Sequence, residues 1–165
     1  MRPERLWWLS CQLYRKNLVL PAKLLKACIY MLYHAVLPYQ AEIEPDIVLE
    51  HYALGIVVHP NVTLGHRVRI YQHVTLAAQT WIGSEHRIVV EDDVTIGAGA
   101  VLLPASDTGM RVGKGAQIAP CCLVQSDVPA GCTVQGAPAR PVAFSGTQAD
   151  VPESETAKQL LKEAT

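Results

Sequence analysis

Phenylalanine occurs once in 165 residues, aromatic side chains make up 6%, and the formal net charge is −1. Five cysteines are present (Cys11, Cys28, Cys121, Cys122 and Cys132), with no Cys-x-x-Cys pair among them. Each scarcity excludes something. With so few rings, the core must be filled by Val, Ile, Leu and Ala, which suits a narrow, regular interior better than an irregular globular one. A near-neutral balance argues against a nucleic-acid binder, which is normally basic. An odd number of scattered cysteines predicts reduced thiols in a cytoplasmic protein, not a disulfide framework or a zinc site. No signal peptide stands out, and the longest early apolar stretch, Leu18 to Leu37, is interrupted by Pro21, Lys23, Lys26 and His34. Such a stretch is a poor membrane span.

What is present divides into three regions. Residues 1–40 hold Arg2, Arg5, Arg15, Lys16, Lys23 and Lys26 against Glu4 alone. Within them, residues 4–37 predict two helices separated near Pro21, with Leu24, Leu25, Cys28, Met31, Leu32 and Ala35 at helical spacing. One reading is a helical pair packed on the main domain or on another subunit. The other is a basic amphipathic segment touching an anionic membrane, helped by Trp7 and Trp8. Residues 143–165 are polar and predict a tail or a short terminal helix.

Residues 41–142 are periodic. Aliphatics fall six apart at Val58, Leu64, Ile70, Leu76 and Ile82, then at Val90, Ile96 and Leu102, then at Val112, Ile118 and Val124. Ile43 and Leu49 keep the interval in a different phase. Two residues before most of these stands another small or apolar side chain, and one residue after, Gly65, Gly83, Gly97 and Gly113 recur. A period of six with two inward positions describes one flat side of a coil; three sides make a triangular rung, and rungs stack. Glycine suits a corner because it tolerates angles a β-carbon penalises. The expected fold is an all-β solenoid, a left-handed parallel β-helix. Its two breaks, after Ile82 and after Leu102, predict loops leaving a corner, the first carrying Ser84, Glu85, His86 and Arg87.

The runs GIVVHPNVTLGHRVRIYQHVTL, VVEDDVTIGAGAVLL and DVPAGCTVQGAPARPV resemble the serine acetyltransferase family of hexapeptide acyltransferases over roughly residues 41–142. The resemblance implies a homotrimer of β-helices, with acetyl-CoA as co-substrate in a groove between neighbours and no metal. It implies that His51 is the general base, with Glu42 as the carboxylate orienting it and Glu44 or Asp46 as substitutes. It places Glu50, His86 and Arg87 at the acceptor, the last two in reversed order relative to the family's pair. It lines the co-substrate groove with Gly97, Ala98, Gly99, Ala100, Ala119, Gly136, Pro138, Ala139 and Arg140. Serine enzymes carry a long helical N-terminal domain; the forty residues here look more like relatives that acetylate sugars, often in polysaccharide synthesis. The acceptor hydroxyl therefore stays open between serine and a sugar.

A histidine with a pKa near 6.5 can take a hydroxyl proton at neutral pH. Backbone amides at a glycine-rich corner could receive the oxyanion. Cys122 falls on an inward position and reads as packing, not as a nucleophile. Two other classes stay in view. Histidines 51, 59, 66 and 73 would suit a γ-class carbonic anhydrase-like zinc enzyme only if shared between subunits, because their phases differ along the coil. A non-catalytic β-helix scaffold is the other. The expected partners are a small-molecule acceptor and two further copies, with no nucleic acid and with a membrane surface open for residues 4–37; the expected location is cytoplasmic, with a peripheral membrane contact open.

Overall fold

The structure, a computed structural model, describes residues 2–136. Two helices, α1 (Pro3–Arg15) and α2 (Val19–Tyr33), precede a parallel β-solenoid of about four turns of the left-handed β-helix type. Pro3 sits in the first turn of α1, where its missing N–H costs nothing. The break between the helices lies at Lys16–Leu18, ahead of Pro21, with Asn17 in the left-handed region at φ 60°. Pro21 falls in the first turn of α2, where proline is tolerated, so it does not make the break the sequence placed there.

The solenoid is built in coils of three short strands. The first coil holds β1 (Glu42–Ile43), β2 (Val48–Leu49) and β3 (Val57–Val58). The second holds β4 (Val62–Leu64), β5 (Arg69–Ile70) and β6 (Thr75–Leu76). The third holds β7 (Ile88–Val90), β8 (Thr95–Ile96) and β9 (Val101–Leu102). The fourth holds β10 (Met110–Val112), β11 (Gln117–Ile118) and β12 (Leu123–Val124), and β13 (Thr133–Val134) begins a fifth. Three parallel faces result: β1-β4-β7-β10, β2-β5-β8-β11-β13 and β3-β6-β9-β12. Inward side chains stack in columns, such as Ile70, Ile96 and Ile118 on the second face, each buried.

The expected period is borne out, with one revision. Ile82 is 59% exposed and belongs to a loop, residues 77–87, that leaves the solenoid directly after Leu76. The first break is thus longer than the sequence suggested and takes the Ile82 hexapeptide with it. Asn61, buried beneath the loop, holds it: its Nδ2 donates to the Trp81 carbonyl at 2.8 Å and its Oδ1 accepts from the Gly83 N–H at 2.9 Å.

Three of the four recurring glycines act for a different reason than backbone angle, whereas Gly83, on the 77–87 loop, has the positive φ expected, at 91°. Gly65, Gly97 and Gly113 do not have positive φ; a β-carbon there would lie 2.9 Å from the Asp92 backbone nitrogen, 2.7 Å from that of Pro120 and 2.5 Å from that of Ala130. The next coil passes too close for any side chain. Left-handed residues come two positions later and are often not glycine: Arg67 and Asp93 at one corner, His73 and Cys121 at the next.

The corner between the first and second faces is tied by carboxylates reaching across coils. Asp92 accepts the His66 N–H at 3.0 Å and Glu91 the Lys114 N–H at 2.9 Å, while at the corner between the third and first faces Asp127 accepts the Arg111 N–H at 2.8 Å. The helical pair closes the first-coil end. The Trp7 indole N–H donates to the Pro38 carbonyl at 2.8 Å, and Trp7, Cys11 and Ile29 join the solenoid core. Val36 pairs with Val57, extending the third face by one residue.

Two outcomes are expected. Gly97→Ala must separate the third and fourth coils and should cost about 1–3 kcal/mol, read as a lower urea midpoint. The bond from the His66 N–H holds the Asp92 carboxyl below its ordinary range, and bonds from Arg67 and Arg111 do the same for Asp93 and Glu91. Because these folded values are depressed, their contribution is present above the ordinary range, about 3.9–4.3, and is lost as pH falls through the lower folded values. Urea titrations should show stability falling below about pH 4, with a shallower fall in Asp92→Asn/Asp93→Asn.

Candidate functional site

The corner between the second and third faces carries the candidate site. In the later coils it is a four-residue turn: residues 71–74, then 97–100, then 119–122. In the first coil the turn is longer. Val48 lies beside Arg69, whereas Val57 lies beside Thr75, so the offset falls from 21 to 18 between one strand and the next. The three extra residues lie in the turn that spans Glu50–Ala53 and includes His51. They are also why Ile43 and Leu49 run in a different phase from Val58 onward.

That turn is strained. His51, Tyr52 and Ala53 all have positive φ, at 49°, 57° and 62°. A single non-glycine residue there costs about 1–2 kcal/mol, and such conformations persist only where the surroundings enforce them. Here Ala53 is fully buried, its carbonyl accepts the Ile56 N–H at 3.0 Å, and the His73 N–H donates to Leu54 at 2.9 Å. The His73 ring covers Gly55, whose φ is +67° and where a β-carbon would sit 2.1 Å from His73 Nδ1. Helix α1 packs against the turn from the other side. Bracing from both sides holds His51 and Tyr52 out of the solenoid, both exposed.

The His51 ring faces that of Tyr71, one coil on, with centroids 6.2 Å apart and planes tilted by 51°. Tyr71 is in turn one wall of a groove of about 330 Å³. Gly97, Ala98, Ala119 and Pro120 give the groove a floor of small residues, with Thr95, Gln117 and Thr133 at its polar edge. A shallow, mostly apolar trough of this kind accepts a slender chain laid along it. Of the residues predicted to line such a groove, Gly97, Ala98 and Ala119 do so. Gly99 and Ala100 lie in the same corner, Ala100 buried. Gly136 donates its N–H to Cys122 Sγ at 3.1 Å. Pro138, Ala139 and Arg140, like the 143–165 tail, lie outside the described residues.

The carboxylates face other partners than His51. Glu42 lies on the first face, accepting from Thr63 Oγ1 at 3.2 Å and standing 3.5 Å from Arg87 Nη2. Asp46 and Glu44 bracket His66, at 3.0 Å from Nδ1 and 3.7 Å from Nε2. Glu50 is ion-paired with Arg69. Arg87 also donates to Thr63 Oγ1 at 3.0 Å and to the Val62 carbonyl at 3.1 Å, while the His86 N–H donates to Ser84 Oγ at 3.1 Å. One chain therefore separates the two halves of the predicted site. His51 stands between the second and third faces, and His86–Arg87 enter the first face at a different corner.

The amides proposed for an oxyanion need revision: the Gly97 N–H donates to Ile118 at 2.8 Å and the Gly99 N–H to Gln72 at 3.0 Å, both in the coil-to-coil ladder. Cys122 is buried, as its inward position predicts, and Cys121 is exposed. Histidines 59, 66 and 73 sit at three different corners. His59, whose partial burial lowers its pKa, accepts the Asn61 N–H on its Nδ1. Residue reasoning passed over Tyr71, Arg69 and Asn61. Tyr71 lay inside the RIYQHVTL run, but nothing in that run says which neighbour a corner side chain meets.

No family model matches the chain. The chain is 44% identical over 78 residues to a 2,3,4,5-tetrahydropyridine-2,6-dicarboxylate N-acetyltransferase of Staphylococcus aureus, a match covering 47% of this chain and 31% of that protein. Among solved structures it is similar to soybean serine acetyltransferase complexed with serine, at 30% identity and a TM-score of 0.69, over 85% of this chain and 54% of that one. It is also similar to serine acetyltransferase from Brucella abortus in complex with coenzyme A, at 26% identity and a TM-score of 0.70, over 86% and 54%. The chain thus spans about a third of the curated relative and about half of each solved one. With its hexapeptide period and its β-solenoid, the chain is similar to the hexapeptide-repeat, left-handed β-helix acyltransferases, the serine acetyltransferases among them.

Proposed function

We propose that the protein moves an acetyl group from acetyl-CoA to a hydroxyl of a small acceptor, serine or a sugar, by direct attack within a ternary complex. One observation carries this reading: His51 is presented on a strained, braced turn beside Tyr71, which also walls a groove floored by small residues. A slender thioester-bearing arm in that groove would bring its carbonyl toward His51. The acceptor hydroxyl gives its proton to the imidazole as its oxygen bonds to the carbonyl carbon. The carbon–sulfur bond then breaks, and the imidazolium returns the proton to the departing thiolate. Glu50, paired with Arg69 beside His51, supplies both a negative and a positive charge to orient a polar acceptor.

The rest of the acceptor site comes from a second copy of the chain, as a homotrimer would provide. Arg87, held by Glu42 and Thr63 on the first face, is the residue that would reach a neighbour's His51 corner. The solved serine acetyltransferases with serine and with coenzyme A support the choice of donor and acceptor class. The curated relative's name specifies N-acetylation, so amines belong in any acceptor screen.

The decisive measurement is thiol release from acetyl-CoA by the purified chain with serine, sugars, nucleotide-sugars and amines offered in turn. His51→Ala should keep its fold and lower kcat by about 10²–10⁴-fold; full activity in that variant removes the proposed base. Co-expressed His51→Ala and Arg87→Ala chains should recover activity that neither has alone. No recovery would place the whole site in one chain.

A further inference from the structure

Helix α2 has two apolar faces, and only one of them is used. Ala22 and Ile29 are buried against α1 and the solenoid end, and the Ala22 carbonyl accepts from Ser10 Oγ at 3.0 Å. On the opposite side Leu20, Leu24, Met31 and Leu32 are 70%, 59%, 74% and 67% exposed. With Ala27 and Cys28 between them, at three- and four-residue spacing, they form one continuous stripe. Leu18, just ahead of the helix, and Val19, its first residue, are exposed as well. A patch of this kind on a protein surface marks a contact.

Charge decides what the contact is with. Residues 5–41 contain Arg5, Arg15, Lys16, Lys23 and Lys26 and no acidic residue. Arg15 and Lys16 are exposed beside the apolar turn, and Lys23 is exposed on the border of the stripe. Lys26 lies further round the helix, its Nζ 6.0 Å from the centre of the Tyr39 ring. A second copy docking through the same face would set these cations against one another, with no carboxylate on α2 of either copy to pair them. An apolar stripe rimmed by cations alone fits an anionic lipid surface, where leucine and methionine side chains enter the acyl boundary and lysines meet headgroup phosphates. No helix among the described residues is long and apolar enough to cross a membrane, so α2 would lie along the surface.

We infer that the outward stripe of α2, Leu20, Leu24, Met31 and Leu32 with Lys23 at its border, docks the protein on an anionic membrane surface. The acetyl-transfer reading is independent of this: none of these residues lines the groove.

The test is co-sedimentation of the full chain with vesicles of phosphatidylcholine alone and of phosphatidylcholine with an equal part of phosphatidylglycerol. Binding to the anionic vesicles should exceed binding to the neutral ones by about tenfold and weaken as salt is raised. Leu24→Glu/Met31→Glu should abolish it, and Lys23→Glu should lower it several-fold, with unchanged thermal unfolding in both variants. No sedimentation with anionic vesicles overturns the inference, as does equal binding to neutral ones. If instead Leu24→Glu/Met31→Glu sediments like wild type, or only splits the assembly into smaller species on gel filtration, the stripe is not a lipid contact. Full acetyl-transfer activity alongside absent vesicle binding would refute the membrane contact and leave the catalytic reading standing.

Discussion

Parallel pairing of each coil with the next is the constraint on which the rest depends. Strands two or three residues long cannot bury a core by themselves; each gains its hydrogen bonds and inward packing from the coils on either side. The pairing fixes the spacing so tightly that Gly65, Gly97 and Gly113 have no room for a β-carbon. It also sends every extra residue outward at a corner. The 77–87 loop and the Glu50–Ala53 turn lie in coils whose strands still pair on all three faces. The carboxylates of Asp92, Glu91 and Asp127 reinforce the same contact from outside, each accepting a backbone N–H of a neighbouring coil.

The site follows from that constraint. Because the corners stack, Tyr71, Gly97–Ala98 and Ala119–Pro120 line up in successive coils and form a trough without any element dedicated to it. The first coil departs from the column by three residues, and that departure holds His51 beside the head of the trough. The strain in three consecutive left-handed residues is sustained by α1, His73 and the buried Ala53. The helical end thus does two things: it closes the solenoid and it supports the turn that carries His51.

Much of this was legible in the sequence because a period of six maps directly onto geometry. The inward columns from Val62 to Val124 needed only counting, and the different phase of Ile43 and Leu49 already marked the inserted turn. Ile82 misled because an aliphatic at the right interval says nothing about whether its coil is present; in the structure it stands exposed on a loop pinned by Asn61. Gly65, Gly97 and Gly113 stand at corners as expected but for another cause, since close approach of the next coil leaves no trace in local sequence. Gly83 has the expected positive φ but stands on the loop. The carboxylates were hardest. Glu42, Glu44 and Asp46 lie near His51 in the chain, yet Glu42 sits on the first face beside Arg87, and Glu44 and Asp46 share the next corner, where they meet His66 instead. Sequence distance along a coil does not report direction around it.

The three-residue insertion in the turn at His51 has a consequence for how such a protein can diversify. In an ordinary globular site, moving a reactive side chain means repacking what lies beneath it. Here the coil closes again at Ile56, so the length of one corner sets how far its residues reach while the stack above and below stays in register. Reach becomes a matter of insertion length and reactivity a matter of which residue occupies the tip. The two can vary separately, which lets a single rigid scaffold present different side chains at different reach without a new core.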